Sequence, residues 1–230
     1  MKKLSAFTLA EVLITLAIIG VVAAMTVPTL MQNHQRKAYT TQLHQVYTLL
    51  SQAFMQYMTD KNALNLHEAG LTSSAEITNF MQNYFKIVKS CTNFTDCFYD
   101  GQYKNINGSN LNNSDYWPGS ANAPCFVIAN GASLCLENAK YHGTYGHITI
   151  DVNGKAGPNV AGRDLYFVSY YKDGSIDEDG IPPECRTSGT SCGSGKTNAK
   201  DVRAALGCTA RSDAKGCFGL ILNNNWEMTY

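Results

Sequence analysis

What the chain has little of narrows its reading first. It has no excess of charge: Lys+Arg and Asp+Glu are both 18, so formal net charge is zero. No basic bias therefore points to nucleic acid, and no acidic tail points to a solvating segment. Cysteine is missing from the first 90 residues, and no Asp, Glu, Lys or Arg lies between Glu11 and Arg36. None of the 8 cysteines has a neighbour at the two-to-four-residue gap of a zinc knuckle, and the five histidines do not cluster beside them. That argues against a zinc site. There is no His-Glu-x-x-His, and nothing in the spacing of Asp and His marks a catalytic pair. Gly193-Ser-Gly-Lys-Thr197 imitates a phosphate loop, but Thr190 stands where that motif requires its first Gly, and no apolar strand leads in. The composition excludes no fold class, but it leaves neither a cofactor nor an enzyme to expect.

What is there begins with Phe7 to Leu30, reading FTLAEVLITLAIIGVVAAMTVPTL behind Lys2 and Lys3. At ~1.5 Å per residue, a helix over this run is long enough for a bilayer core of ~30 Å. Glu11 is its one carboxylate. An acid at the bilayer centre costs on the order of 2.5 to 3.5 kcal/mol, and less near an interface, so Glu11 needs a reason to be there. A short basic leader, then Phe-Thr-Leu-x-Glu, then an apolar helix, resembles the N-terminal signature of type IV pilins and type II secretion pseudopilins. The resemblance implies that a prepilin peptidase cuts between Ala6 and Phe7 and that the new N-terminus at Phe7 is methylated. It makes Glu11 the family's assembly glutamate and Pro28 the proline that loosens the helix. Ala6 stands where the family has Gly before the cut. Further partners implied are other pilin or pseudopilin subunits and an inner-membrane assembly platform.

Two plainer readings compete. A secretory signal peptide also begins with Lys and an apolar run, and Val22-Ala23-Ala24 offers a small-residue cut. Such peptides do not usually place Glu at the start of the apolar core, and here the helical pattern continues past that cut. A plain anchor explains the length but leaves Glu11 unexplained.

Beyond Pro28 the pattern becomes amphipathic. Tyr39, Leu43, Val46, Leu50, Phe54 and Tyr57 recur at three- and four-residue intervals, predicting a helix that frays near Asp60. Pro28 is expected to kink or locally melt the helix between its two halves. Ser73 and Glu76 form a capping-box pattern ahead of a second helix, with Ile77, Phe80, Met81, Tyr84 and Val88 on one face. Asp100 to Pro124 reads as a long loop with Tyr116 and Trp117 as its bulky anchors. Strands are expected over 125–128, 133–136, 147–152 and 165–171, with a final strand at 218–222 and Trp226 folding back on the sheet.

Ala129-Asn130-Gly131 predicts a hairpin whose register sets Cys125 opposite Cys135. Even cysteine usage in an exported portion reads as disulfides, and local pairing gives Cys91–Cys97, Cys125–Cys135, Cys185–Cys192 and Cys208–Cys217. Asp151-Val-Asn153-Gly-Lys-Ala-Gly157-Pro158-Asn159 resembles a DxNGxxGPN pattern of pseudopilin-like heads and is, physically, turn chemistry. Asp173, Asp177 and Asp179 sit in the densest acidic stretch and are the weak calcium candidate. The EF-hand register fails there, because Arg186 takes the place of the bidentate Glu, and a solvated turn is the better reading.

The sequence thus predicts an α+β chain: a leader over 1–6, a membrane or filament-core helix over 7–30, its amphipathic continuation over 31–60, and a disulfide-stapled head over 61–230. The lysines of the leader place it on the cytoplasmic side of the bacterial inner membrane and export the head. The expected function is a structural subunit, leaning to a minor pilin or pseudopilin. The alternative is an exported adhesin or binding protein tethered by its N-terminal helix.

Overall fold

A computed structural model describes residues 8–112, 123–138, 144–186, 192, 198–208 and 215–230. The chain divides into two units, residues 1–38 and residues 39–230. The fold is α+β, with one long N-terminal helix, a six-stranded antiparallel sheet and four disulfides.

Helix α1 runs from Leu9 to Asp60 and is unbroken over Pro28, so the expected melting does not occur. Proline has no N–H to give to the ladder, yet the helical assignment continues on both sides of it. Within the first unit α1 presents Leu13, Ile14, Leu16, Ile19, Met25 and Leu30 to the outside, each more than half exposed. This helix is long and apolar enough to cross a membrane. The hydroxyls of Thr15 and Thr26 donate back to the carbonyls of Val12 and Val22, both at 2.9 Å. Those bonds satisfy polar groups that lipid would leave unpaired.

In the second unit α1 buries Leu43, Val46, Leu50, Phe54 and Tyr57, the stripe the periodicity predicts. Helix α2 spans Ser74–Tyr84, capped by Ser73, whose side chain accepts from Glu76 N. Strand β1 (Ile87–Cys91) and the short α3 (Phe94–Cys97) follow, then β2 (Cys125–Ile128), β3 (Ser133–Glu137), β4 (Gly146–Asp151), β5 (Leu165–Tyr170) and β6 (Ile176–Asp177). The strands pair in sequence order, each antiparallel to the next. Registers Phe126↔Leu134↔Ile150↔Tyr166 and Leu136↔Ile148↔Val168 make continuous apolar rows across the sheet. Those rows share one core with the α1 stripe and with Ile77, Phe80 and Met81 of α2. Phe54 stacks between Phe80 and Tyr170, with ring centroids 5.2 Å from each.

The opposite face carries Cys125, Cys135, Leu165 and Phe167, covered by a second cluster around Phe98, Tyr103 and Leu111. Both faces are therefore dry, which explains why β3 and β4 are buried at every position instead of alternating. Edge strand β1 carries a register irregularity between Ile87 and Lys89 and mostly exposed side chains. A bulge and lysines are the usual protection of an edge strand.

Three further expectations are corrected. Val88 does not share the α2 face: α2 stops at Tyr84, Phe85 is already extended, and Val88 is exposed on β1. A run of Phe, Ile and Val favours strand once helical bonding ends. Residues 218–222 are helical, within α5 (Cys217–Asn223), which follows α4 (Ala199–Ala205). A five-residue apolar run does not distinguish strand from buried helix, and Gly216 at φ 85° supplies the turn that starts α5. Trp226 packs on α1, stacked on His44 at 4.1 Å and edge-on to Tyr47 at 5.0 Å, instead of on the sheet. In the 100–124 loop, Tyr103 and Leu111 are the buried anchors, and Lys104 bridges to Asn110 and Val160. Tyr116 and Trp117 lie outside the described residues.

The disulfides join Cys91–Cys97, Cys125–Cys135, Cys185–Cys192 and Cys208–Cys217. Cys125 and Cys135 are direct cross-strand partners with Cα atoms 4.1 Å apart, and Ile128 and Ala132 close the hairpin through a 3.0 Å bond. Replacing this pair with Ala is expected to lower the unfolding free energy by about 2–3 kcal/mol, the chain-entropy value for a loop of about ten residues. Denaturant titration of the variant checks this. Non-reducing peptide mapping should link Cys125 to Cys135 and to no other cysteine.

Candidate functional site

The first turn of α1 carries the residue that the sequence singles out. Thr8 precedes the helix, and Glu11 occupies its first turn. The Thr8 backbone N–H and the Thr8 hydroxyl both donate to Glu11 Oε2 at 2.8 Å, while Glu11 N donates to Thr8 Oγ1 at 3.3 Å. These reciprocal bonds make a capping box, in which two otherwise orphaned donors of the helix start are satisfied. A carboxylate at this end also meets the positive end of the helix dipole.

The helix starts at Leu9, and Thr8, just ahead of it, holds the Glu11 carboxylate. Ala6 and Phe7, where processing and methylation are expected, lie outside the described residues, as do Lys2 and Lys3. The Thr-x-x-Glu spacing at 8–11 is the same signal as Ser-x-x-Glu at 73–76, so the box was readable from the sequence.

The acidic stretch after β5 is built for a different purpose from holding an ion. Asp177 forms a bidentate pair with Arg203 of α4, with Nε to Oδ1 at 2.8 Å. Asp179 Oδ2 pairs with Lys215 Nζ at 3.0 Å. Between them, buried Glu178 accepts the Gly219 N–H of α5 at 2.8 Å through Oε2. Asp173 turns back on its own loop and accepts Ser175 N at 3.1 Å. The acids named as the calcium candidate are thus occupied by cations and backbone, and three consecutive acids tie the sheet to the C-terminal helices. Among the described residues no three His, Cys, Asp or Glu side chains are grouped to hold a metal.

The turn after β4 is a polar core of its own. Asp151 is fully buried, accepts the Tyr103 hydroxyl at 2.7 Å through Oδ2, and takes Asn153 N at 3.3 Å through Oδ1. Asp164, also fully buried, accepts Asn159 N and Val160 N, both at 2.7 Å. Asn159 sits at φ 57° and Gly154 at φ 64°, the left-handed conformations for which Asn and Gly are suited, and the Gly157–Pro158 bond is cis. The motif residues Asp151 and Asn159 therefore serve the turn: the two carboxylates replace the strand bonds that the chain gives up there.

Gly189-Thr-Ser-Cys192-Gly193 has the Gly-x-Ser-x-Gly spacing of a nucleophile elbow. Of its residues only Cys192 is described, and it is disulfide-bonded to Cys185. A 3-10 turn, Pro183–Arg186, stands upstream in place of the strand that such an elbow needs. The phosphate-loop imitation at 193–197 lies outside the described residues.

Burial pushes four carboxyls upward: Asp151 to about 8, with the Asp164 charge adding to it, Glu137 and Glu178 each to about 7, and Asp164 itself. Their folded values exceed the unfolded ones, so the folded head binds more protons between about pH 4.5 and pH 8. Stability from these groups is fully present below that window and declines as pH rises through it, opposite to the usual acid denaturation. The melting temperature of the detergent-solubilised chain is expected to be higher at pH 5.5 than at pH 8.5. Asp151→Asn should flatten the upper part of that dependence.

The family model of the prokaryotic N-terminal methylation motif matches residues 1–27. That motif is the signature of type IV pilins and pseudopilins, and its span contains Thr8, Glu11 and most of the exposed apolar run. No curated protein and no solved structure matches the chain.

Proposed function

We propose that this chain is a structural subunit of a type IV pilus or a type II secretion pseudopilus, held in the bacterial inner membrane before assembly, and that it serves as a minor pilin or pseudopilin. The observation that carries the reading is the methylation motif coinciding with an exposed apolar helical run that holds a single carboxylate, Glu11, before Leu30. The disulfide-stapled head suits an oxidising, exported location. Its large, loop-rich form favours a minor subunit over a bulk one.

The mechanism follows from solvation. In the membrane, lipid covers the apolar face of residues 7–30, with the leader on the cytoplasmic side and the head exported. A prepilin peptidase removes residues 1–6 and methylates Phe7. An assembly platform then extracts the subunit, and neighbouring pilin or pseudopilin helices replace lipid around the same face. In that packed core, water is excluded and an unpaired carboxylate costs several kcal/mol. Pairing Glu11 of a docked subunit with the Phe7 amine of an incoming one relieves that cost in one axial register only. Glu11 thus selects the register.

N-terminal mass analysis of membrane-extracted protein should show a chain beginning at methylated Phe7. A start at Met25 would establish an ordinary signal peptide, and an intact Met1 a tethered adhesin or binding protein. Glu11→Leu should be processed and inserted normally, accumulate in the membrane, and be missing from sheared filaments. Wild-type incorporation of that variant would remove the register mechanism.

A further inference from the structure

The C-terminal tail, residues 224–230, turns back onto α1 at Trp226. Helix α5 ends at Asn223, and the Trp226 N–H donates to Ile221 O at 2.9 Å, wrapping the chain around after the last turn. Asn225, at φ 53°, is suited to that left-handed bend. Trp226, at φ 65°, is not: a second left-handed position after a helix suits glycine, and a bulky side chain there is strained. Its contacts must hold it in place. The indole stacks on the exposed His44 imidazole, with ring centroids 4.1 Å apart and planes 18° from parallel. Tyr47 meets the indole edge-on at 5.0 Å, and Phe218 does so at 6.1 Å. The tail then continues through buried Met228 to Tyr230, whose hydroxyl donates to Gly162 O at 2.8 Å.

The surroundings of this stack carry little charge. Within one turn of His44, α1 has Thr40, Thr41, Tyr47 and Thr48; α5 has no charged side chain, and the tail has one, the exposed Glu227. Arg163 and Asp164 act electrostatically on Tyr39, five residues earlier on α1. From this geometry we propose that His44 and Trp226 form a proton-responsive latch that fastens the C-terminal tail to α1. A neutral imidazole stacks on indole through dispersion and apolar burial. An imidazolium adds the attraction between a cation and the negative face of the ring. Histidine is the side chain whose charge changes between about pH 5 and 8. Proton uptake therefore tightens a contact that already offsets backbone strain, and raising the pH withdraws that increment. An open tail uncovers Tyr47 and one side of Phe218, so the latch controls access to that aromatic surface. It lies wholly in the second unit and does not depend on the assembly reading above.

The full-length protein in detergent tests the latch, with Trp117→Phe in every sample so that Trp226 is the sole tryptophan. A stacked imidazolium quenches indole fluorescence by accepting an excited-state electron. Trp226 emission should therefore fall as the pH is lowered from about 8 to about 5. Amide exchange at Trp226 and Glu227, corrected for its intrinsic pH dependence, should slow about two- to fivefold over that range, the equivalent of about 0.5 to 1 kcal/mol. His44→Gln should abolish both responses and speed exchange of the tail at every pH. His44→Phe keeps a ring over the indole without a titrating group, so it should keep the tail protected and lose only the pH dependence. Emission that does not change with pH in the Trp117→Phe protein overturns the proposal. So does a response of the same size in His44→Gln or His44→Phe. Quenching without any change in exchange overturns it too, because the contact then has no part in closing the tail.

Discussion

Apolar surface in water costs roughly 25 cal/mol per Å², and the first unit of this chain exposes a long run of it. Val12, Leu13, Ile14, Leu16, Ile18 and Ile19 each leave more than 40% of their surface uncovered along a single helix. Such a helix calls for a medium other than water. The rest of the structure is arranged around that requirement. Backbone bonds are kept within the helix, threonine hydroxyls bond back to its carbonyls, and the one charge ahead of Arg36 is placed in its first turn, where the helix itself can satisfy part of it. The capping box answers the same constraint: in lipid or in a packed core, Glu11 is tolerable only with partners.

The second unit follows the opposite logic and supplies its own cover. Its sheet is buried on both faces, by α1 and α2 on one side and by the Phe98–Tyr103–Leu111 layer on the other. Burying both faces leaves few positions for polar residues, and those present are bonded into the architecture. Tyr103 reaches across to Asp151, Tyr145 donates to Leu71 O at 2.7 Å, and Tyr170 donates to Glu137 O at 3.0 Å. Loops make up much of this unit, and four short-range disulfides restrain them where packing alone would not.

The C-terminal region shows how one sequence feature can carry two meanings. Asp177, Glu178 and Asp179 read as a possible ion loop because acids at close spacing repel one another and invite a cation. The cations turn out to be Arg203 and Lys215, brought from 26 and 36 residues away, with the N-terminal end of α5 receiving the middle acid. The cluster is thereby a clasp between β6 and the last two helices. Removing Arg203 would strip buried Asp177 of its bidentate cation, which is costlier than the pair itself is stabilising.

Much of this was legible in the sequence wherever the determining interaction is local. The apolar run, the stripe from Leu43 to Tyr57, the Ser73 cap, and the hairpin that sets Cys125 against Cys135 depend on residues a few positions apart. So does the Thr8–Glu11 box, whose spacing is plain at residues 8 to 11. Tertiary structure alone decided the rest. Residues 218–222 became helix because Phe218 and Ile221 could be buried against α1 and the sheet in that form, which a five-residue pattern does not encode. Trp226 found His44, nearly two hundred residues away, and Asp177 found Arg203. The sequence by itself determined which segment must live out of water and where its one charge begins. Which acids close the head, and upon what, was left to the tertiary structure, because long-range partners are selected by the packed surface and not by spacing along the chain.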